Sequence, residues 1–131
     1  MTGTLTPGTE LAPLAVAPIS RTTLALFAGA SGDHNPIHID IDVAKSAGLD
    51  DVFAHGMLSM AYLARLLTDN FPQEKICSYK VRFASITPVH GQPTCAAVIR
   101  SVDGPLTTLD LTVTLADGTV TLTGEAVVAF D

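Results

Sequence analysis

The second half of the chain alternates between apolar and polar residues, which predicts β-strands. In segment 107–116 every second residue from Leu109 to Leu115 is Leu or Val, and the residues between them are Thr or Asp. This alternation places the two sets on opposite faces of a sheet. Similar segments span 76–87, 94–102 and 120–130. Asp-Gly pairs at 103–104 and 117–118 separate the last three segments and are typical of hairpin turns. We therefore predict an antiparallel meander.

The first of these segments predicts one apolar and one polar face. The apolar face consists of Cys77, Tyr79, Val81 and Phe83, and the polar face of Ser78, Lys80 and Arg82.

A single long helix is predicted before the strands, from His55 to about Asn70. Its polar side chains Ser59, Tyr62 and Arg65 form one narrow stripe, and most other positions are Met, Leu or Ala. A helix that is apolar nearly all round is normally covered by other structure. The Phe-Pro pair at 71–72 ends it. We expect the sheet to wrap this helix.

The first fifty residues predict an arm, a short helix and a polar loop. Residues 1–18 are rich in Thr, Pro and Ala and predict an arm with at most one edge strand. Ser20 is suited to cap a helix over 23–28, which the glycines of segment 29–32 would end. Segment 41–47 predicts one or two further helical turns. Helices followed by strands indicate one α+β domain across 1–131.

Composition and charge narrow the function classes. The chain is 47% hydrophobic and only 15% charged, so we expect a partner to cover some surface, most simply in a homodimer. The net charge is -6 and no run of Lys or Arg occurs, which argues against nucleic-acid binding. No apolar stretch is long enough to span a membrane.

The sequence also predicts the cellular location and the redox state of the cysteines. No basic start followed by a long apolar run precedes residue 18, so no secretory signal is predicted and a cytoplasmic location is expected. Cys77 and Cys95 lie far apart in predicted strands, and reduced thiols fit that compartment.

Segment 33–38 concentrates the chemistry. Asp33 and His38 are separated by the Asn35-Pro36 pair, and the residue before a proline avoids the helical region. A turn here can bring a carboxylate and an imidazole together as an acid/base pair. The alternative is that Asp33 or Asn35 only caps the turn, and the spacing by itself leaves both open. His34 and His38 do not predict a metal site, because Pro36 between them prevents the helical His-x3-His arrangement.

The start of the long helix offers a second chemical feature. Backbone N–H groups at Gly56 and Met57 would lack intrahelical acceptors and lie at the positive end of the helix dipole. Gly56 would let a ligand approach the backbone closely. Such a position suits a carbonyl oxygen that gains negative charge. The alternative is a helix start without a ligand.

These two segments resemble a known family signature. Segment 27–38 reads Phe-Ala-Gly-Ala-Ser-Gly-Asp-His-Asn-Pro-Ile-His, and segment 54–58 reads Ala-His-Gly-Met-Leu. Together they resemble the MaoC-like (R)-specific enoyl-CoA hydratase and 3-hydroxyacyl dehydratase family. The resemblance implies the hot-dog fold, in which a curved antiparallel sheet wraps a long central helix. Phe27 stands where many members have Tyr.

The resemblance also implies an activity and a set of residues. The reaction would be the reversible syn addition of water to a trans-2-enoyl thioester. Asp33 and His38 match the catalytic pair, Asn35 matches a residue that helps to position the loop and substrate, and the Gly56 N–H matches the oxyanion site. No metal or cofactor is implied, because the substrate is itself an activated thioester of coenzyme A or acyl carrier protein. Members of this length imply a homodimer.

Two other functions remain open at this point. A hot-dog acyl-CoA thioesterase usually carries a carboxylate on the long helix, and segment 55–67 has no Asp or Glu. A non-catalytic acyl-thioester-binding subunit of a hetero-oligomeric hydratase would bind without turnover. Lys80 and Arg82 are candidates for the phosphates of coenzyme A, or else lie on a solvated strand face.

Overall fold

Five antiparallel strands form one sheet in the computed structural model, which describes residues 5–129. The strands are β1 (Leu14–Ala15), β2 (Ile76–Phe83), β3 (Thr94–Asp103), β4 (Leu106–Thr114) and β5 (Val120–Ala129). The helices are α1 (Arg21–Ser31), α2 (Ile41–Ser46) and α3 (Gly56–Asn70), with 3-10 turns at Pro36–His38 and Gln73–Lys75. This arrangement confirms the α+β class. The end of the predicted segment 120–130 falls partly outside the described residues.

The core lies between α3 and the inner face of the sheet. Leu63, Leu66 and Leu67 of α3 are at most 2% exposed. They pack with alternate residues of β3, β4 and β5, among them Cys95, Ala97, Ile99, Leu109, Leu111, Val113, Leu122, Ala126 and Val128. Burying each large aliphatic side chain contributes about 1.5–3 kcal/mol. The alternation predicted for segment 107–116 is confirmed over β4.

The prediction of which residues of the long helix are exposed is partly wrong. Ser59 is buried rather than part of a polar stripe. The exposed stripe instead follows positions four apart, at Met57, Ala61 and Arg65. Residues four apart stack along one helix face, so this stripe is continuous and largely apolar. The helix is therefore covered on one side only within this chain.

The strand order also differs from a four-strand meander. The order is β1-β3-β4-β5-β2, so only β3, β4 and β5 follow one another through hairpins. β2 lies at the far edge and pairs with β5. It ends at Phe83 rather than at residue 87, because the Ala84 and Ser85 amides both donate to the Thr121 carbonyl, at 2.8 and 3.2 Å. Two donors on one acceptor turn the chain out of the ladder.

A bulge explains the orientation of Cys77. The β2–β5 register shifts between Ile76 and Ser78. Ile76, Tyr79 and Val81 are therefore half-buried, whereas Cys77 is exposed. The prediction that Cys77 shares the inner face with Tyr79 is wrong, because a bulge adds one residue to the alternation.

The segment before the sheet carries the polar loop. The Ser20 hydroxyl accepts from the Thr23 N–H at 3.0 Å, which confirms the predicted cap. α1 extends to Ser31, beyond the expected end at residue 28, because Gly29 stays helical and Gly32 ends the helix with φ 80°. β1 pairs with β3 at Cys95 and Thr94, as expected for an edge strand.

The remaining expectations concern thiols, charges and membranes. Cys77 and Cys95 are both free thiols. On the outer sheet face Glu125 pairs with Lys80 at 3.1 Å and with Arg100 at 3.0 Å, and Arg100 also pairs with Asp110. Within residues 5–129 no helix is long and apolar enough to cross a bilayer.

Candidate active site

The polar loop (residues 33–38) is built by side chains that replace helical hydrogen bonds. Asp33 Oδ1 accepts from the Asn35 N–H at 3.2 Å, and Asn35 Oδ1 accepts from the Ile37 N–H at 3.2 Å. Pro36 then begins the 3-10 turn. Asp33 and Asn35 therefore do cap this turn, as one alternative held. That use occupies only Oδ1 of Asp33 and leaves its Oδ2 available.

The structure brings Asp33 and His38 together. Asp33 Oδ2 lies 4.0 Å from His38 Nε2. The Asp33 side chain is 51% exposed, whereas that of His38 is only 9% exposed. This separation is too long for a direct hydrogen bond. It does allow one water to lie at about 2.8 Å from both atoms.

The tautomer of His38 follows from its backbone partner. His38 Nδ1 lies 2.8 Å from the Phe53 carbonyl oxygen. A carbonyl only accepts, so Nδ1 carries the proton and Nε2 of the neutral ring presents a lone pair. The Phe53 ring also packs edge-on against the imidazole, with centroids 4.9 Å apart. His38 is therefore fixed with a proton acceptor facing Asp33.

The start of α3 opens into a cavity. Gly56 lines a cavity of about 360 Å³ with Phe53, Phe83 and other largely apolar residues. Among the described residues, no backbone carbonyl accepts from the Gly56 or Met57 N–H. A Cβ at Gly56 would lie 2.9 Å from the Phe83 ring. Glycine is thus the residue that lets Phe83 and a ligand both approach the helix start.

Segment 53–56 connects the acid/base pair to the cavity. Asp33 and His38 do not line the cavity themselves. The connection runs through segment 53–56, because the Phe53 carbonyl holds His38 and His55 contacts both members of the pair. The structure therefore brings Asp33 and His38 together and connects them to Gly56 through the preceding residue, His55. Asn35 faces its own turn, and the roles of all four remain predictions.

Sequence reasoning missed two contributors to this region. His55 stacks on His38 and lies 3.1 Å from the Asp33 carbonyl oxygen. A histidine at a helix N-cap, where Ser, Thr, Asp or Asn is usual, was the signal available for it. Thr87 is buried beside the cavity with its hydroxyl 3.4 Å from that of Ser59. Nothing in the local pattern pointed to Thr87.

The three side chains Asp33, His38 and His55 have potential metal ligand atoms within 4.8 Å of one another. The hydrogen bond to the Asp33 carbonyl places a proton on His55 Nε2. The two imidazole rings are stacked at 27°, so their in-plane lone pairs do not converge on one point. This geometry favours Asp33 and His38 as a proton-transfer pair over a metal site formed by the three side chains.

The two candidate cations differ. Lys80 forms an ion pair with Glu125 at 3.1 Å. Arg82 has no ion pair with any residue in the described part of the chain. Both line a second cavity of about 310 Å³ at the edge strand β2. Arg82 is the cation whose charge is available to a ligand.

Comparison with known proteins decides the family. The model of the MaoC like domain matches residues 4–108. The chain belongs to the MaoC-like domain family. Among relatives of this MaoC-like chain, 3-hydroxyacyl-thioester dehydratase X of Mycobacterium tuberculosis is 36% identical over 92 residues. That match covers 70% of the chain but only 31% of the relative.

A second relative is matched over most of its length. The (R)-specific enoyl-CoA hydratase of Aeromonas caviae is 28% identical over 109 residues, which covers 80% of the chain and 81% of the relative. The solved structure of the (R)-hydratase from A. caviae superposes with a TM-score of 0.88 at 25% identity, over 99% of this chain and 100% of the other. The MaoC-like chain therefore has the hot-dog fold, as the resemblance implied.

Proposed function

We propose that this MaoC-like chain is an (R)-specific enoyl-thioester hydratase, equally a (3R)-hydroxyacyl-thioester dehydratase. The observation that carries the proposal is the 4.0 Å separation of Asp33 Oδ2 and His38 Nε2. His55 connects this pair to the Gly56 and Met57 amides, which have no backbone acceptor among the described residues. An acid/base pair beside an oxyanion site is what reversible water addition requires. Relatives named hydratases and dehydratases support the same reaction.

The proposed addition begins with a water bound by both members of the pair. The His38 Nε2 lone pair takes one proton as the water oxygen bonds to the β carbon of the trans-2-enoyl thioester. The electrons of the carbon–carbon double bond shift towards the thioester carbonyl, whose oxygen becomes negative. The Gly56 N–H and the positive end of α3 stabilise that oxygen. Asp33 holds the water and balances the charge of His38.

Protonation of the α carbon completes the reaction. The proton taken from water returns to this carbon from the same side as the hydroxyl, so the addition is syn. The net change is one water added, and dehydration follows the same steps in reverse. The apolar side chains Phe83, Ile86 and Leu122 of the cavity wall would hold the acyl chain. Arg82 is the proposed contact for a phosphate of the carrier, coenzyme A or acyl carrier protein.

A homodimer is part of the proposal. Several large apolar residues around the site are exposed: Ile39 by 49%, Met57 by 58%, Phe83 by 53% and Ile86 by 46%. Exposed apolar surface of this kind is usually covered by a partner. A second copy is the simplest partner. Sedimentation of the purified chain at the mass of two copies would support this, and a monomer would contradict it.

The direct test is hydration of crotonyl-CoA by the purified chain. We expect loss of the enoyl absorbance and formation of (3R)-hydroxybutyryl-CoA, with no release of free thiol. A series of longer enoyl-CoA substrates then measures what the cavity accepts. Thiol release without water addition would indicate a thioesterase. Binding without turnover would indicate a non-catalytic subunit, and either result contradicts the proposal.

A further inference from the structure

His55 is a buried histidine at an unusual place. It occupies the N-cap of α3, yet its side chain makes no capping hydrogen bond to that helix. It is only 1% exposed, so its ring is surrounded by protein. Burying a polar ring costs free energy unless its nitrogens are hydrogen-bonded. A Ser, Thr, Asp or Asn at this position would stabilise the helix start more than His55 does. The other contacts of His55 therefore need an explanation.

The contacts of His55 converge on the proposed acid/base pair. Its Nε2 lies 3.1 Å from the Asp33 carbonyl oxygen, and because a carbonyl only accepts, Nε2–H is the donor. Its ring stacks on His38 with centroids 4.0 Å apart and planes inclined by 27°. Phe27 of α1 packs edge-on against the ring, at 4.9 Å and 61°. His55 thus touches one member of the pair through the backbone and the other through its ring.

The second nitrogen of His55, Nδ1, bears on which tautomer the ring adopts. Nδ1 is buried and has no hydrogen-bond partner among the described residues. With the proton on Nε2, Nδ1 holds a lone pair and the ring is neutral. A neutral ring can stack on His38 without opposing the positive charge that His38 gains when it accepts a proton. Nε2 bonds a backbone carbonyl and Nδ1 contacts no hydrogen-bond donor, so neither nitrogen is placed to transfer a proton. These contacts fit a residue that positions its neighbours.

We infer that His55 is a positioning residue: as the neutral Nε2–H tautomer it fixes the Asp33 backbone and the His38 ring plane. This inference rests on the proposed function for its kinetic consequence, though not for its geometry. His38 is also held by the Phe53 carbonyl, so two contacts set its orientation. The distance between the Asp33 and His38 side chains then depends on two contacts of His55, one with the Asp33 backbone and one with the His38 ring. Small displacements of reacting groups cost large factors in rate, about 100-fold per ångström.

Three substitutions separate the two contacts. His55→Gln keeps a side-chain N–H donor but no ring, His55→Phe keeps a ring but no donor, and His55→Ala keeps neither. We expect His55→Ala to lower kcat by about 100-fold with little change in KM, and the other two to fall between it and wild type. His34→Gln, on the exposed histidine of the same loop, is the matched control and should keep wild-type kcat. Thermal unfolding identifies any variant that does not fold. The kcat values of the remaining variants then test the positioning role of His55.

A double-variant cycle distinguishes positioning from a general structural effect. If His55 acts through His38, His55→Phe should have little further effect on kcat in a His38→Ala background, because the group it positions is gone. An equal loss of kcat in both backgrounds would overturn the inference. So would wild-type kcat in all three His55 variants.

A spectroscopic measurement keeps the inference testable if the chain has another activity. Ring ¹H–¹⁵N NMR spectra should show His55 as the Nε2–H tautomer and His38 as the Nδ1–H tautomer. His55→Phe should shift the His38 ring signals, and His34→Gln should not. A cationic or Nδ1–H His55, or His38 signals indifferent to His55→Phe, would refute the positioning role. Failure of crotonyl-CoA hydration alone would refute only the proposed function.

Discussion

The candidate site and the sheet core are built on opposite principles. In the core, β3, β4 and β5 pair with their neighbours in sequence and bury apolar side chains against α3. In the site, polar side chains join segments 15 and 22 residues apart, through the His38–Phe53 and His55–Asp33 contacts. Asp33 remains half exposed. Stability and the proposed chemistry thus depend on different parts of the chain. A substitution in one part should therefore impair one property and leave the other largely intact.

The largest effect on activity alone is expected from the polar loop. Asp33→Asn keeps the Oδ1 acceptor for the Asn35 N–H but removes the charge, and His38→Ala removes the proton acceptor. We expect each to lower kcat for crotonyl-CoA hydration by about 10³-fold, within the range for general acid/base groups. Thermal unfolding should change little. Wild-type kcat in both would show that the pair has no catalytic part.

The converse effect is expected in the sheet. A Cβ at Gly124 in β5 would clash with the Lys80 carbonyl oxygen of the paired strand β2. Because backbone cannot yield as a flexible side chain does, we expect Gly124→Ala to lower the free energy of unfolding by about 2–3 kcal/mol. Urea unfolding measures this, and the molecules that stay folded should keep their kcat.

Gly29 provides the matched control for that change. A Cβ there meets nothing within 4 Å, and the residue lies inside α1. Gly29→Ala should therefore stabilise the chain by about 0.5 kcal/mol, since alanine favours helix more than glycine does. Equal destabilisation by both substitutions would show that the Lys80 contact is not the cause.

A smaller effect is expected where the two regions meet. Gly56→Ala would place a Cβ 2.9 Å from Phe83, whose ring can turn aside into the cavity. We expect kcat/KM to fall by about tenfold with little loss of stability, as for a small displacement of the bound substrate. Adding Phe83→Leu should recover part of the loss by making room. No recovery would indicate that the Gly56 amide itself, rather than the space above it, was disturbed.

The smallest effect concerns the two thiols. Burial raises the pKa of the Cys95 thiol to about 11, and its side chain is in the core. Cys77 is exposed on the edge strand. An alkylating reagent at about pH 8 should therefore label Cys77 within the native protein and Cys95 only after unfolding, because the thiolate reacts. Mass spectrometry of the two peptides reads this out, and early labelling of Cys95 would mean that the core opens.

Much of the fold was predictable from local patterns. Strict alternation over β4, the Asp-Gly turns and the Ser20 cap each follow from backbone rules that act within a few residues. The position of β2 was not predictable in this way. Its pairing with β5 depends on where the chain goes after Phe83, and the bulge at Cys77 interrupts the alternation that would have placed its side chain.

For the site, the sequence by itself identified the residues for which we propose a chemical role, Asp33, His38 and Gly56. The turn at Asn35-Pro36 and the glycine at the helix start are local features, and both are visible in the order of residues. Only the tertiary structure decided the geometry: His38 held by Phe53, and His55 stacked on His38 while bonded to Asp33. The physical reason is that local backbone preferences act over a few residues, whereas these contacts exist only after the start of α3 packs against the polar loop.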